Sequence, residues 1–192
     1  GLLQLDNGVQ KFSLHYEADL DRGGISVLDI RPLLWRDGWP VAGDNFHAGD
    51  YQIESARTGT VLEPAVQGEP VGGPRVRPPG PPAADPPPLP PVPAQQAAQV
   101  AARWPTGDLA ARLAPQMLQA QQRWRFTAVP DAGGYPGSPW FRISIADTDR
   151  TLAATPDGEP IVAASYTGAP AQLWRVDQLA DGTYRLVPKS SP

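Results

Sequence analysis

Cysteine is absent from the 192 residues. No disulfide framework and no thiolate-ligated metal centre is therefore available. Long apolar runs are missing too. None approaches the roughly 18 residues that a membrane-spanning helix needs. Charge of either sign is in short supply: 19% of residues are charged and the net is −4. That balance is too mild to point to nucleic acid or an anionic bilayer as partner. The chain opens on Gly1 rather than Met, and no leader pattern is visible. It reads as a mature chain or a piece of a longer one. The length fits one or two small domains, and 41% hydrophobic residues fit a globular protein with some disorder.

Proline is what the chain has in excess, with 25 in all, and 11 of them fall between Pro74 and Pro93. Proline fixes φ and lacks an N–H, so Val71–Pro93 favours polyproline II or disorder. Such tracts serve mostly as linkers, and recruitment of a partner through a PxxP ligand is the alternative. The following Ala94–Arg103 is rich in helix formers. Asp108 is placed to cap a second helix over Leu109–Gln122, with a break at Pro115.

Elsewhere the pattern is that of strands. Gln10–Tyr16 and Ile25–Trp35 flank the turn Asp21-Arg22-Gly23-Gly24, and Trp35–Pro40 reads as another turn. Tyr51–Ser55, Thr60–Glu63, Phe141–Ala146, Thr151–Ala154, Ile161–Tyr166, Leu173–Gln178 and Thr183–Pro188 are short and rich in β-branched or aromatic residues. Short strands between turns predict an all-β barrel, sandwich or propeller.

Three segments align without gaps, starting at Tyr51, Phe141 and Tyr184. The first two share Ile53/Ile143, Ala56/Ala146, Thr58/Thr148 and Leu62/Leu152. An aromatic followed two places on by Ile or Leu is the period-2 signature of a half-buried strand. Two of the segments are followed by Gln-x-Trp, at Gln122-Arg123-Trp124 and Gln172-Leu173-Trp174. Phe141 and Tyr184 lie 43 residues apart, whereas Tyr51 and Phe141 lie 90 apart, an excess of 47. An insertion in the first repeat accounts for it, and a repeat of this size predicts a repeat architecture.

This pattern resembles the ricin-B-like β-trefoil, also called carbohydrate-binding module family 13. The resemblance implies that Trp124 and Trp174 pack in a shared core and that Gln122 and Gln172 support loops beside sugar pockets. The third repeat is cut short at Pro192. The family's acid after the conserved Leu is replaced by Glu63 after Leu62 and by Ala153-Ala154 after Leu152. Glu63, as an acceptor of sugar hydroxyls, and Tyr166, as a stacking face, are the sugar-binding candidates that follow from it.

The N-terminal string Phe12-Ser-Leu-His-Tyr-Glu-Ala-Asp19, Leu28-Asp-Ile-Arg-Pro-Leu-Leu-Trp35 and Asp37-Gly-Trp-Pro40 resembles the last blade of a family 43 glycoside hydrolase of the arabinanase type. The match runs over Leu3–Asn45. That family is a five-bladed β-propeller whose paired carboxylates cleave arabinofuranosyl linkages with inversion. The acids belong to earlier blades, so no catalytic residue is expected in this chain, and Asp19, Asp21 and Asp37 read as solvated turn acids. His15 matches a family His near the active site and is the metal-ligand candidate, the ion being calcium or another metal of the parent propeller. No cofactor is expected in this chain itself.

These readings combine into an all-β expectation. Residues 1–45 form the last blade of a five-bladed β-propeller. Residues 46–192 form an incomplete β-trefoil, interrupted over 65–115 by a Pro-rich and helical insertion. The function expected is that of the C-terminal part of a secreted, extracellular glycosidase acting on arabinan or a related plant polysaccharide. The partner is a carbohydrate of arabinan or galactose type, with no nucleic acid and no membrane, and the chain is monomeric. A stand-alone lectin-like protein without catalysis is the competing reading.

Overall fold

A computed structural model describes residues 1–4, 9–19, 23–66, 94–135 and 138–191. The Pro-rich stretch Val71–Pro93 lies outside the described residues. Within them the regular elements are thirteen β-strands, one α-helix and two 3-10 turns.

The N-terminal part is a four-stranded antiparallel meander in sequential order: β1 (Leu2–Gln4), β2 (Gln10–Asp19), β3 (Ile25–Arg36) and β4 (Trp39–Ala42). The β3–β4 hairpin turns on Asp37 and Gly38, both at positive φ (51° and 80°). That is the Asp-Gly signature of a two-residue hairpin whose twist matches its strands. The expected turn over Trp35–Pro40 thus shrinks to its two central residues, and Trp39 and Pro40 pair with Arg36 and Trp35. Proline is tolerated there because β4 is an edge strand. Cross-strand partners share a face, so Lys11 and Pro32 lie on the same side, with Leu34 two places along. All three are buried.

The remaining strands form one curled nine-stranded sheet: β5 (Gly49–Tyr51), β6 (Val61–Pro64), β7 (Leu109–Ala114), β8 (Trp124–Tyr135), β9 (Ser138–Ile145), β10 (Thr151–Ala154), β11 (Pro160–Ala163), β12 (Leu173–Gln178) and β13 (Tyr184–Pro188). Its organisation is repetitive. β6 pairs with β7 as β10 pairs with β11, and each hairpin is followed by a single 3-10 turn, at Ala120–Gln122 and Pro170–Gln172. β8 then returns against β5 and β9, and β12 against β9 and β13.

Two expectations change. Leu109–Gln122 is not a helix: Leu109–Ala114 is strand β7, hydrogen-bonded to β6 on one side and β11 on the other. It also lies inside the stretch assigned to the insertion. Propensity for helix is a weak prior, and a six-residue segment ending at Pro115 gains more from two ladders than from a helix too short to stand alone. Asp108 caps no helix; its carboxylate accepts from the Ala164 N–H at 2.9 Å. The long strand β8 is an element that the sequence reading leaves unassigned. The expected helix does form as α1 (Ala94–Ala101), and beyond it Trp104 is buried in the core.

That core contains Trp124, Phe126, Phe141, Ile143, Leu152, Val162 and Trp174. Phe46, on the connection leading to β5, packs against the aromatics that open all three aligned segments. Its ring lies 4.8 Å from Tyr51, 5.5 Å from Phe141 and 5.7 Å from Tyr184, and 5.0 Å from Phe126. The meander meets this body at Lys11. Burial pulls the Lys11 ammonium below the ordinary lysine range, with Asp177 countering and Arg175 reinforcing the shift. Asp177 is itself fully buried, and holds Arg175 Nε at 2.9 Å and Arg185 at 3.9 Å. A buried carboxylate needs such partners.

Candidate functional site

The two Gln-x-Trp motifs share one hydrogen-bonding pattern to the backbone. Trp124 is wholly buried, and its indole N–H donates to the Leu62 carbonyl at 2.9 Å. Trp174 donates to the Leu152 carbonyl, also at 2.9 Å. Gln122 Oε1 accepts from the Met117 N–H at 2.8 Å, and its Nε2 donates to the Pro115 carbonyl at 2.9 Å. Gln172 does the same at the same offsets, accepting from the Thr167 N–H at 2.7 Å and donating to the Ser165 carbonyl at 2.8 Å. Each glutamine thus closes the loop in front of it. The amide supplies both a donor and an acceptor, which satisfies two loop backbone groups at once.

The repeats diverge one place after the leucine. Glu63, expected to face a sugar, is 5% exposed. Its Oε1 accepts from Arg112 Nε at 2.9 Å and pairs with Arg112 NH2 at 2.7 Å, and its Oε2 accepts from Gln122 Nε2 at 2.9 Å. Both oxygens are thus aimed at protein donors. In the second repeat the matching residue is Ala153, and nothing charged is buried there.

Tyr166 is half-buried on the loop that Gln172 closes. Over its ring, 4.7 Å from the centroid, sits the Arg142 guanidinium, within cation–π range. Arg142 also lines an open groove of about 340 Å³ together with Arg125, Thr127, Ser144, Asp147, Thr148 and Asp149. The register explains the grouping. Arg125 pairs with Ser144 and Thr127 with Arg142, so these four project from one face while Phe126, Phe141, Ile143 and Ile145 fill the core.

The two arginines differ. Arg125 is saturated. It makes a bidentate pair with Asp50 at 2.8 and 2.9 Å and a third bond to Asp147 at 2.6 Å. The hydrogen bonds it donates to Asp50 and Asp147 raise its pKa further above the normal arginine value. Arg142 is not saturated. Among the described residues its buried Nε has no hydrogen-bond partner, and its ion pair, to Asp149, is 3.6 Å long. Sequence reasoning missed these groove residues. The signal was present in Phe141-Arg-Ile-Ser-Ile, whose alternation turns Arg142 and Ser144 outward.

The side chain of His15, the metal candidate, lies outside what the structure describes. Among the described residues no group of three or more His, Asp or Glu could hold a metal ion. Tyr166 and Arg142 therefore define the site that the structure does assemble, a polar groove with an aromatic at its rim on an all-β, trefoil-like repeat body.

Residues 120–192 match the family described as ricin-type beta-trefoil lectin domain-like. Among solved structures, a mosquitocidal holotoxin covers 99% of this chain at 14% identity with a TM-score of 0.46, and the chain spans 19% of that protein. An exo-beta-1,3-galactanase from Clostridium thermocellum covers 99% at 13% identity and TM-score 0.44, and the chain spans 37% of it. No curated protein matches the sequence.

Proposed function

We propose that the chain is a carbohydrate-recognition unit, and that its glycan lies in the groove between Tyr166 and Asp147. The observation that carries this reading is the duplicated Gln-x-Trp constellation, within a segment matching a lectin-type family. The groove chemistry fits it. Sugars offer hydroxyls that both donate and accept, and here guanidinium, carboxylate and hydroxyl groups converge beside a ring. In finer detail, the reading is of a secreted, monomeric protein region with residues 1–45 as the last blade of a glycosidase propeller and 46–192 as the binding body, acting on arabinan or a galactose-type glycan. The Leu3–Asn45 resemblance and the four-stranded meander support it. Tethering a weak binder to a hydrolase raises the local substrate concentration.

A glycan array probed with the purified chain, followed by calorimetry on the hits, tests the binding. Hits lost on Tyr166→Ala while the melting profile stays unchanged are the expected result. Silence across the array at millimolar glycan overturns the reading.

A further inference from the structure

The groove has a preferred class of sugar, and the clue is Arg142. This inference rests on the binding reading above. The Arg142 guanidinium lies over the Tyr166 ring, a contact that uses none of its N–H groups. Its Nε is buried and unpaired. No ligand reaches so buried an atom, but the guanidinium's outer end lines the groove on a side chain 25% exposed, and it lacks a hydrogen-bond acceptor among the described residues. The ion pair with Asp149 does not supply it: the separation is 3.6 Å and Asp149 is 89% exposed, and such solvated pairs contribute little. Asp147, the other groove carboxylate, is already bonded to Arg125. A planar guanidinium with free donors matches one ligand group best, a carboxylate held by two parallel hydrogen bonds.

The surface beyond the groove continues the theme. Two places back along β9, on the same face and roughly 7 Å away by strand geometry, stands Trp140. Arg175 lies 5.9 Å and Lys189 5.7 Å from its ring. At this end Arg175 and Arg185 pair with one carboxylate, the fully buried Asp177, while the Lys189 ammonium donates to the Ala132 carbonyl. The strip from Arg142 to Lys189 is therefore cationic on a protein whose net charge is −4.

We propose that this outer face of β9 binds an acidic glycan, a chain carrying uronic-acid carboxylates, with one carboxylate on Arg142 and the next sugars running over Trp140 towards Lys189. Calorimetry with tri-galacturonate and with the same trisaccharide after carboxyl reduction, at about 20 and 200 mM salt, tests it; the salt range spans a large change in screening length. The acidic form should bind at least about tenfold more tightly, equivalent to some 1.4 kcal/mol, and lose most of that margin at high salt. Arg142→Gln should abolish the preference. Arg142→Lys should restore only part of it, because a lysine cannot form the fork. Lys189→Gln should weaken the acidic ligand and leave the reduced one alone. Equal binding of the two trisaccharides, unchanged in Arg142→Gln, overturns the acidic preference while leaving carbohydrate binding intact. A preference that survives both Arg142→Gln and Lys189→Gln also overturns it, since the charge would act from elsewhere. Binding of neither form, by wild type or variants, removes this inference and the reading beneath it together.

Discussion

Replacing Phe46 by alanine tests how the repeat body is closed. The ring touches Tyr51, Phe126, Phe141 and Tyr184 at centroid separations of 4.8–5.7 Å. Truncating a buried Phe costs about 3–5 kcal/mol, and each aromatic pair contributes roughly 0.5–1.5 kcal/mol beyond area alone. Phe46 is half-buried, so the lower end applies, about 3 kcal/mol. For a chain of this length that lowers Tm by roughly 6–12 °C. Urea unfolding followed by tryptophan fluorescence reads it directly, because Trp124 and Trp174 sit in the core. Phe46→Leu should recover about half. Trp39→Ala, at a side chain 75% exposed, is the control and should change stability by under about 0.5 kcal/mol. A Phe46→Ala loss below about 1 kcal/mol would refute the claim that this residue joins the three aligned segments.

Further outcomes follow from the joint and the repeats. A Cβ on Gly43 would meet Gln178 Oε1 at 2.8 Å and Leu34 and Pro32 at 3.1 Å, so Gly43→Ala should destabilise by about 1–3 kcal/mol through overpacking, read as a lower urea midpoint; an unchanged midpoint argues that the meander does not press on this body. Arg112→Ala leaves Glu63 buried without its cation and should cost about 3 kcal/mol, whereas Glu63→Ala with Arg112→Ile recreates the second repeat's pairing of Ala153 with Ile161 and should cost less than the single change, as a double-mutant cycle will show. Lys11 has a lowered folded-state pKa, so between that value and the ordinary lysine value the unfolded chain binds more protons and stability rises with pH. Lys11→Met removes this contribution, so the stability of wild type relative to the variant should increase as pH climbs towards about 10.4; a pH-independent difference measured by urea unfolding would contradict the burial of this amine.

Parts of this arrangement were legible before any coordinates. Thr151–Ala154 and Leu173–Gln178 are strands with the expected bounds, because each is a short stretch marked off by turn residues and is too short for a stable helix. The alternation of Phe141, Ile143 and Ile145 marks a core-facing strand edge. β7 was hidden because Leu-Ala-Ala-Arg-Leu-Ala carries helical propensity, and its pairing partners lie far off in sequence at Val61–Pro64 and Ile161–Val162. Glu63 entered as a sugar acceptor through the family resemblance, and its partners Arg112 and Gln122, 49 and 59 positions away, are not legible from the local sequence. Phe46 belongs to no periodic pattern, so nothing local announced that it would meet four aromatics. Arg142 could be placed outward by alternation, but its stacking on Tyr166 required the loop that Gln172 closes.

The two indole–carbonyl bonds are equal in length, yet the chain between their ends is not: 22 positions separate Trp174 from Leu152, and 62 separate Trp124 from Leu62. Bridging β10 to β11 takes residues 155–159, while bridging β6 to β7 takes residues 65–108. By loop-closure scaling the longer bridge adds only about 2 kcal/mol of chain entropy, so the native state tolerates it, but that entropy must be lost before the first repeat's contacts repay it. The order of events during refolding should therefore be unequal for two motifs that look alike once folded. The Gln172–Trp174 half forms the nucleus, and Trp174→Phe slows folding. The Gln122–Trp124 half closes late, so Trp124→Phe mainly accelerates unfolding. Chevron plots of the two variants would separate them, and matching effects on both arms would show that nucleation ignores the length of the bridge.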